Sequence, residues 1–361
     1  MLDKLKVFNV AIIGAGLIGN KRAKALLQIP NVKIKAVCDK NIELAQAFKK
    51  MDDNICVYGS YDDLLNSKVQ KELGLNLAIV ATTNNLLTPI TLQALNLGMD
   101  VLVEKPAARN LKEFEAIFNY IEMNPQRKVK IGFNHRFHPA IMRAKELIEA
   151  GELGRPEELM FLRGRYGHGG RVGYNREWRA NVDISGGGEL LDQGVHLIDL
   201  ARWFLGTGGR EGTATGANFS KVNGSAHTYF WNMEVDDNAF LDLKTESGQT
   251  AFLHVSSTEW KNLFSLEIYG KKGKIHIEGL GGSYGVERCS YYRMLDEMGP
   301  PETMIWEYPR EDNSWREEIV SFLNAIERNY PNEKINGNVY DAYEALQIVD
   351  KIYRESGYVN N

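Results

Sequence analysis

Short apolar runs, separated by segments in which apolar residues recur with helical spacing, dominate the first third of the chain. Uninterrupted apolar runs are typical of strands that are covered on both faces. They predict strands at residues 6–13, 33–38, 55–58, 75–81, 100–103 and 128–133. Helices are predicted between several of these strands, among them residues 61–65 and 89–97. Strands that alternate with helices in this way predict a parallel sheet with helices on both faces.

Beyond residue 150 the pattern changes to short segments in which apolar and polar residues alternate. These segments predict strands at residues 159–165, 214–220, 239–245, 249–257, 264–269 and 274–278. Glycine-containing turns at residues 246–248 and 270–273 favour hairpins between neighbouring strands. The pattern predicts an α+β domain with a large, mostly antiparallel open sheet, closed by helices at residues 314–327 and 340–355.

The change of pattern predicts two domains, residues 1–133 and residues 134–361. A chain of 361 residues is also longer than one ordinary hydrophobic core supports. In this division the closing helices belong to the second domain, although they could pack back on the first.

A glycine-rich turn joins the first predicted strand to the helix that follows it. The turn has the spacing G-x-G-x-x-G and consists of Gly14, Ala15, Gly16, Leu17, Ile18 and Gly19. In such a turn the first glycine permits a tight bend, the second admits a pyrophosphate, and the third lets helix and strand pack closely. The helix N-terminus then favours the phosphate charge. The alternative is a glycine turn kept for packing alone.

Asp39 ends the second predicted strand, twenty residues after Gly19. A carboxylate at this position accepts hydrogen bonds from the adenosine ribose of a dinucleotide. It would repel a 2′-phosphate, so it favours NAD over NADP, although the adjacent Lys40 weakens that preference. Residues 1–133 are therefore predicted to form an NAD-binding Rossmann domain, a doubly wound α/β fold.

Polar residues also follow the strand at 75–81, on the carboxyl edge of the predicted sheet. Ligands of open α/β sheets bind at this edge. Thr82 and Asn84 therefore either contact the cofactor or only cap the next helix.

The sequence Glu104-Lys105-Pro106 follows the strand at 100–103, on the same predicted edge. Pro106 disfavours a helical conformation at Lys105 and so restricts the direction of its side chain. The ammonium group either hydrogen-bonds a substrate hydroxyl and stabilises developing negative charge, or it forms a surface pair with Glu104.

Three consecutive glycines, Gly186–Gly188, precede a segment with helical spacing of apolar residues. In a helix Asp192 and His196 lie four residues apart and share one face, and Asp199 continues that stripe. A carboxylate beside an imidazole, at the mouth of a glycine turn, predicts a proton-transfer site. The alternative is a buried histidine held by a structural carboxylate.

Composition narrows the class of protein further. The net charge is −4, which does not favour a nucleic-acid-binding or membrane-surface protein. The sequence has no apolar segment long enough to span a bilayer and no signal-peptide pattern. Its three cysteines are too few and too scattered for a disulfide framework or a zinc site. We therefore expect a cytoplasmic protein that uses no metal, nucleic acid or membrane.

The order of these elements along the chain resembles that of the Gfo/Idh/MocA oxidoreductases. The elements that carry the resemblance are the glycine turn, Glu104-Lys105-Pro106, Trp178-Arg179, Gly186–Gly188, Asp192-x-Gly194-x-His196 and Ile335-Asn336-Gly337. The resemblance implies a dehydrogenase that transfers hydride between NAD and a hydroxyl-bearing carbon of a sugar, polyol or nucleotide sugar.

The resemblance also implies roles for individual residues. His196 is the general base, Lys105 lowers the effective pKa of the alcohol, and Asp192 binds a hydroxyl or orients the histidine. Glu104, Trp178 and Arg179 lie at the cofactor. The residues predicted to contact the substrate are Lys105, Asn134, Arg165, Tyr166, Asp192, His196 and Tyr284.

The segment from Arg163 to Arg171 leaves the substrate class open. Its arginines either bind the phosphate or carboxylate of a nucleotide sugar or uronic acid, or form a solvated loop. Two alternatives to a dehydrogenase also stay open: an NAD-dependent glycosidase that oxidises its substrate transiently, and a non-catalytic NAD-sensing regulator. We further expect a homodimer or homotetramer formed through the sheet of the second domain.

Overall fold

The computed structural model describes residues 6–170, 173–206 and 216–358. The described residues form two compact units. The first unit contains the residues up to Gly132 together with Trp315–Tyr340, and the second contains Phe133–Ser314 and the residues from Asp341 onward. The chain therefore returns to the first unit after completing most of the second. The domain boundary at residues 133 and 134 stays a prediction.

The sheet of the first unit is parallel throughout its described strands. These are β1 (Phe8–Ile13), β2 (Val32–Cys38), β3 (Cys56–Tyr58), β4 (Leu77–Val80), β5 (Asp100–Val103) and β6 (Val129–Ile131). They lie in the order β3-β2-β1-β4-β5-β6. The helices are α1 (Leu17–Leu26), α2 (Ile42–Gln46), α3 (Tyr61–Leu64), α4 (Ser67–Leu73), α5 (Asn84–Asn96) and α6 (Leu111–Met123). The predicted doubly wound fold of this region is confirmed.

Apolar residues at successive positions of the central strands are all buried. Val10, Ala11 and Ile12 of β1 and Ile79 of β4 have no exposed surface. A strand that is covered on both faces excludes water from every side chain, which is why these segments are continuously apolar. Burial of apolar surface on both faces stabilises the sheet that carries the glycine turn.

The second unit contains a mixed sheet and several helices. Its helices are α7 (Pro139–Glu149), α8 (Val182–Ser185) and α9 (Val195–Leu205). Its strands are β7 (Leu159–Gly167), β8 (Phe219–His227), β9 (Asn238–Thr245), β10 (Thr250–Ser256), β11 (Leu263–Gly270), β12 (Gly273–Glu278), β13 (Glu287–Arg293) and β14 (Glu302–Tyr308). α10 (Ser314–Glu327) then lies almost entirely in the first unit, and α11 (Val339–Glu355) ends in the second.

The sheet of the second unit is mostly antiparallel, as predicted. Its strands lie in the order β14-β13-β12-β11-β7-β10-β9-β8, and β7 and β10 are its parallel neighbours. α9 packs on one face, where a Cβ on Gly164 would lie 3.3 Å from the side chain of Leu197. The helix and the sheet therefore meet closely at the centre of β7.

Two features of this sheet differ from the sequence prediction. β8 begins at Phe219, later than the predicted strand at 214–220, whose first two residues lie outside the described ranges. β13 and β14 were not predicted. Most of β14 is exposed, so its sequence lacks the alternation that burial of one face imposes.

Among the described residues, no helix combines the length and the apolar character that crossing a lipid bilayer requires.

Candidate active site

The glycine turn of the first unit has three glycines in positions where a side chain would collide or fill a needed space. Gly14 has a φ of +100°, and a Cβ there would lie 2.2 Å from the carbonyl oxygen of Ala81. A Cβ on Gly19 would lie 1.9 Å from the carbonyl oxygen of Gly14, so α1 packs directly on the turn. A Cβ on Gly16 would meet nothing within 4 Å. This turn therefore leaves room for a phosphate at the start of α1.

Asp39 lies beside the turn at the end of β2. Its Oδ2 accepts a hydrogen bond from the Ala15 amide at 2.7 Å, and its Oδ1 accepts one from the Asn41 amide at 2.9 Å. The carboxylate therefore braces the turn, and each oxygen retains a lone pair for a ribose hydroxyl. The open space at Gly16 and the acceptors on Asp39 fit NAD.

The residues of the first unit that were predicted to bind the cofactor differ in their exposure to solvent. Those at least partly exposed are Gly16, Leu17, Ile18, Asp39, Lys40, Thr82 and Lys105. Those buried are Gly14, Gly19, Asn84 and Glu104. Neither Thr82 nor Asn84 occupies the capping position of α5, which is Thr83. The contact of Thr82 and Asn84 with the cofactor stays a prediction.

Glu104 is held in a buried cluster of four charged side chains. Arg22 donates from Nε to Glu104 at 2.7 Å and from Nη1 to Glu318 at 2.6 Å. Lys130 Nζ lies 3.6 Å from Glu318. Burial raises the pKa of Glu104, and the positive charge of Arg22 opposes that shift. The two cations therefore neutralise the two carboxylates, whose charges would be unfavourable in the protein interior without them.

Lys105 follows this cluster directly and is half-buried. The peptide bond that joins it to Pro106 is cis. Arg22 pairs with Glu104 at 2.6 Å, and this ion pair gives Glu104 a structural role that the sequence did not suggest.

In the second unit, the segment after Gly186–Gly188 is helical, as predicted, but its first turn is not α-helical. Leu190–Gly194 form a π-helical turn, and α9 continues from Val195. A π turn inserts an extra residue into the helix and is often found at functional sites. Asp192 lies within this turn.

Asp199 does not continue a functional stripe from His196. Its carboxylate is 1% exposed and forms an ion pair with Arg136, which also binds Asp341 at 3.0 Å. Three buried ionised groups that pair in this way join α9 to the segment before α7 and to α11. The predicted stripe is corrected here, because Asp199 points into a structural ion cluster.

Asp192 is paired with a residue that was expected to cover the cofactor. Arg179 donates from Nε to Asp192 Oδ2 at 3.0 Å, and its guanidinium lies 4.5 Å from the ring centre of Trp178. The charge of Asp192 and their hydrogen bond raise the pKa of Arg179 despite its burial. The structure therefore joins Trp178, Arg179 and Asp192 in one group.

His196 is packed against a second imidazole. The rings of His135 and His196 lie 3.7 Å apart between centres, at an interplanar angle of 23°. Both side chains are buried. Asn134 Oδ1 lies 3.2 Å from His135 Nδ1, and Asn134 also donates to Ser314 Oγ at 3.0 Å. Asn134 is thus brought to this group as a support for His135, a residue that the sequence analysis did not single out.

One phenol lies beside the stacked imidazoles, and a second phenol lies beside the first. The ring of Tyr166 lies 5.2 Å from that of His135 and 5.2 Å from that of Tyr284. Burial, followed by the neighbouring phenol and carboxylates, raises the pKa of Tyr166, and burial also raises that of Tyr284. Both phenols therefore stay protonated at neutral pH and can donate or accept hydrogen bonds.

A buried carboxylate that the sequence analysis missed lies three residues before Asp192. Glu189 Oε1 accepts hydrogen bonds from His168 Nε2 at 2.9 Å and from the Tyr174 hydroxyl at 2.7 Å. Burial lowers the pKa of His168, but the hydrogen bond and charge of Glu189 outweigh it, so that the pKa is raised. No local pattern marked these residues, because they come from three separate segments of the chain.

Arg165 does not join this group, although it was predicted to contact the substrate beside Tyr166. Successive side chains of a strand point to opposite faces, so Arg165 lies on the open face of the sheet. There it pairs with Glu259 at 3.1 Å, and Arg163 pairs with Glu267 at 2.8 Å. Arg163 and Arg165 therefore lie on the face of the sheet opposite to Tyr166, away from the group around His196. Arg171 lies outside the described residues.

Comparison with known protein families identifies both halves of the chain. Residues 8–133 match the model of the oxidoreductase family with an NAD-binding Rossmann fold. Residues 141–276 match the model of the GFO/IDH/MocA C-terminal domain. The two matches together include more than half of the sequence.

Individual relatives agree with these matches. The uncharacterized oxidoreductase YrbE of Bacillus subtilis is 24% identical over 324 residues, 88% of this chain and 86% of that protein. Inositol 2-dehydrogenase of Rhizobium meliloti is 24% identical over 348 residues, 95% of each chain. The structure of levoglucosan dehydrogenase with NADH and levoglucosan has a TM-score of 0.83 at 21% identity, covering 98% of this chain and 97% of that one.

The similarity to the structure of levoglucosan dehydrogenase shows a shared fold. The two family matches identify the family to which the chain belongs. The protein belongs to the Gfo/Idh/MocA family of oxidoreductases, with an NAD-binding Rossmann domain.

Proposed function

We propose that this protein is a dehydrogenase that oxidises one secondary hydroxyl of a neutral sugar or polyol, with NAD as the hydride acceptor. The observation that carries the proposal is the group around His196. The proposal is supported by three observations: the imidazole of His196 stacks on that of His135, the ring of Tyr166 lies 6.4 Å from that of His196, and the charge of Asp192 acts on Tyr166. An imidazole titrates near neutral pH and is suited to accept the proton of an alcohol.

His196 is the proposed general base. NAD held at the glycine turn and at Asp39 would supply the acceptor for the hydride of the alcohol carbon. His196 would take the hydroxyl proton, while Asp192 and Tyr166 would hold neighbouring hydroxyls of the substrate. Lys105 keeps the role that the family resemblance implies, donating a hydrogen bond to the oxygen that gains negative charge.

The charges around this group favour a neutral substrate over a nucleotide sugar or a uronic acid. Arg179 is paired with Asp192, and His168 is paired with Glu189. Binding of a phosphate or carboxylate requires cations that are not already neutralised by a protein carboxylate. A polyol needs only donors and acceptors, which the phenols, carboxylates and imidazoles provide.

Relatives of known activity support the same class of substrate. The inositol 2-dehydrogenase of Rhizobium meliloti is named for a neutral polyol, and the levoglucosan dehydrogenase for a neutral anhydrosugar. Neither name includes a nucleotide sugar.

We also propose that a second copy of this chain covers the open face of the sheet in the second unit. Phe240 and Phe252 are 42% and 49% exposed on this face, between charged residues that pair across the strands. An isologous dimer would remove this apolar surface from water. Sedimentation of the wild type and of Phe252→Asp would show whether the oligomer depends on this face.

A substrate screen tests the proposed reaction. The purified protein is incubated with inositol, levoglucosan and neutral monosaccharides, and in parallel with uronic acids and nucleotide sugars, each with NAD or NADP. We expect NADH absorbance to rise only with neutral compounds and with NAD. His196→Gln keeps the size of the side chain and should abolish turnover, while cofactor binding measured by fluorescence persists.

Three outcomes would contradict the proposal or a part of it. Turnover of nucleotide sugars without turnover of neutral sugars would refute the assigned substrate class. Cleavage of a glycoside without net formation of NADH would indicate the transient-oxidation glycosidase instead. An undiminished rate in His196→Gln would remove this residue as the base.

A further inference from the structure

The turn that precedes Asp192 has no room for side chains. Gly186 has a φ of +79°, in the left-handed region that glycine favours. A Cβ on Gly187 would lie 2.4 Å from the hydroxyl of Tyr353, and a Cβ on Gly188 would lie 1.8 Å from the carbonyl oxygen of Asp236. The glycines therefore allow two distant residues to contact the backbone of this turn.

Asp236 accepts hydrogen bonds from three successive amides at the start of the helical segment. Its Oδ1 accepts from Gly188 N at 2.9 Å, and its Oδ2 accepts from Leu190 N at 2.8 Å. Its carbonyl oxygen accepts from Glu189 N at 3.1 Å. The first amides of a helix have no acceptor within the helix, and a negative charge there is favoured by the helix dipole. Asp236 therefore supplies an anchor from outside the segment.

Tyr353 of α11 completes the anchor. Its hydroxyl donates to Asp236 Oδ1 at 2.5 Å and accepts from Gly188 N at 3.0 Å and from Leu191 N at 3.3 Å. Asp236 and Tyr353 are both fully buried, so water does not replace these bonds. The loss of either partner would leave buried amides without an acceptor.

We infer that Asp236, together with Tyr353, is a positioning residue that sets the orientation of Asp192 and His196. The anchored amides lie directly before and within the π-helical turn that carries Asp192, and α9 with His196 continues from that turn. A shift at the start of the turn would therefore move both side chains. The inference rests on the proposed function, because it assigns chemistry to these two residues.

The neighbouring residue offers a matched control. Asp237 is also fully buried and also accepts hydrogen bonds from three backbone amides. Its partners are Tyr229 at 2.9 Å, Phe230 at 2.7 Å and Trp231 at 2.9 Å, which belong to a different turn. Replacement of Asp237 by asparagine therefore removes the same kind of anchor without touching the turn before Asp192.

The experiment compares Asp236→Asn, Asp237→Asn and Tyr353→Phe with the wild type. An asparagine keeps one acceptor oxygen and directs an NH₂ group at a backbone amide or at the phenol. We expect both asparagine variants to lose thermal stability. We expect kcat to fall about 100-fold in Asp236→Asn, with a smaller change in KM, because small displacements of catalytic groups cost rates of this size. In Asp237→Asn, kcat should stay close to wild type.

Hydrogen–deuterium exchange supplies a readout that does not depend on activity. Exchange at the amides of residues 188–191 should accelerate in Asp236→Asn and in Tyr353→Phe, and should be unchanged in Asp237→Asn. If Asp236→Asn does not fold, Tyr353→Phe is compared with Asp237→Asn by the same two measurements.

Equal losses of kcat in the two asparagine variants would overturn the inference, and so would an unchanged kcat in Asp236→Asn. If the wild type turns over no compound of the screen, the proposed function fails by itself. Exchange at residues 188–191 then decides the inference: acceleration confined to the Asp236 and Tyr353 variants supports it, and unchanged exchange refutes it.

Discussion

Replacement of Arg22 by methionine tests the charge balance beneath the Glu104-Lys105 strand end. Arg22 has no exposed surface and pairs with Glu104 and Glu318, and Lys130 Nζ lies 3.6 Å from Glu318. Methionine keeps a long apolar stem but removes the guanidinium. The buried cluster then contains two carboxylates and one ammonium group, with a net charge of −1 by this count.

The expected loss of stability is large because an uncompensated charge stays buried. Removal of one partner from a buried ion pair costs about 3–5 kcal/mol. For a unit of this size, each kcal/mol lowers the melting temperature by about 2–4 °C, so we expect a fall of about 6–20 °C. Replacement of a surface arginine would cost far less.

The loss of stability in Arg22→Met should also depend on pH, and the pKa of Glu104 decides the direction of that dependence. Burial already raises the pKa of Glu104, and Arg22 opposes this shift. Without Arg22 the folded-state pKa rises further above the unfolded value. Stability is then present below the unfolded pKa and is lost as the pH rises through the folded pKa. Arg22→Met should therefore be more destabilised above neutral pH than in mild acid.

Thermal unfolding of Arg22→Met and of the double variant Arg22→Met/Glu104→Gln measures both effects. The double variant removes the unbalanced carboxylate and keeps the pair of Lys130 with Glu318, so it should melt at a higher temperature than the single variant. The reasoning is refuted if Arg22→Met melts within about 2 °C of wild type, or if the double variant is the less stable of the two.

Three further predictions concern the two sites. Gly19→Ala should abolish NAD binding, measured by calorimetry, because its Cβ would lie 1.9 Å from the carbonyl oxygen of Gly14; binding at wild-type affinity would contradict the packing argument. Arg165→Ala should leave kcat/KM unchanged, since this residue lies on the open face of the sheet; a fall of about tenfold would place it at the substrate. The raised pKa of His168 beside Glu189 predicts stability that is present below the unfolded pKa and lost as the pH rises; His168→Gln should thus be less stable than wild type in mild acid and equal to it in alkali, by thermal unfolding.

Much of the first unit could be predicted because its signals are local. The apolar runs of β1, β4 and β5 arise from burial on both faces, and that burial acts on each strand separately. The glycines of the turn are required by contacts between residues that are close in sequence, such as the contact between Gly14 and Gly19. The prediction of the cofactor therefore needed little knowledge of the rest of the chain.

The candidate site of the second unit was predicted less completely. His196 and Asp192 were found from their spacing, and Tyr166 and Tyr284 were predicted to contact the substrate. The sequence analysis missed His135 and Glu189 and misplaced Arg165. An error of one position along a strand moves a side chain to the other face, and the arginine-rich segment contains no signal that separates Arg165 from Tyr166.

The sequence by itself determined the alternation of strands and helices, the cofactor turn and the family of this protein. Only the tertiary structure decided which side chains, distant in sequence, contact and position the residues of the two sites. Glu318 reaches Arg22 across 296 positions and Tyr353 reaches Gly188 across 165. Periodicity reports the burial of a residue within its own element, whereas such pairings depend on how the elements pack, which no local pattern records.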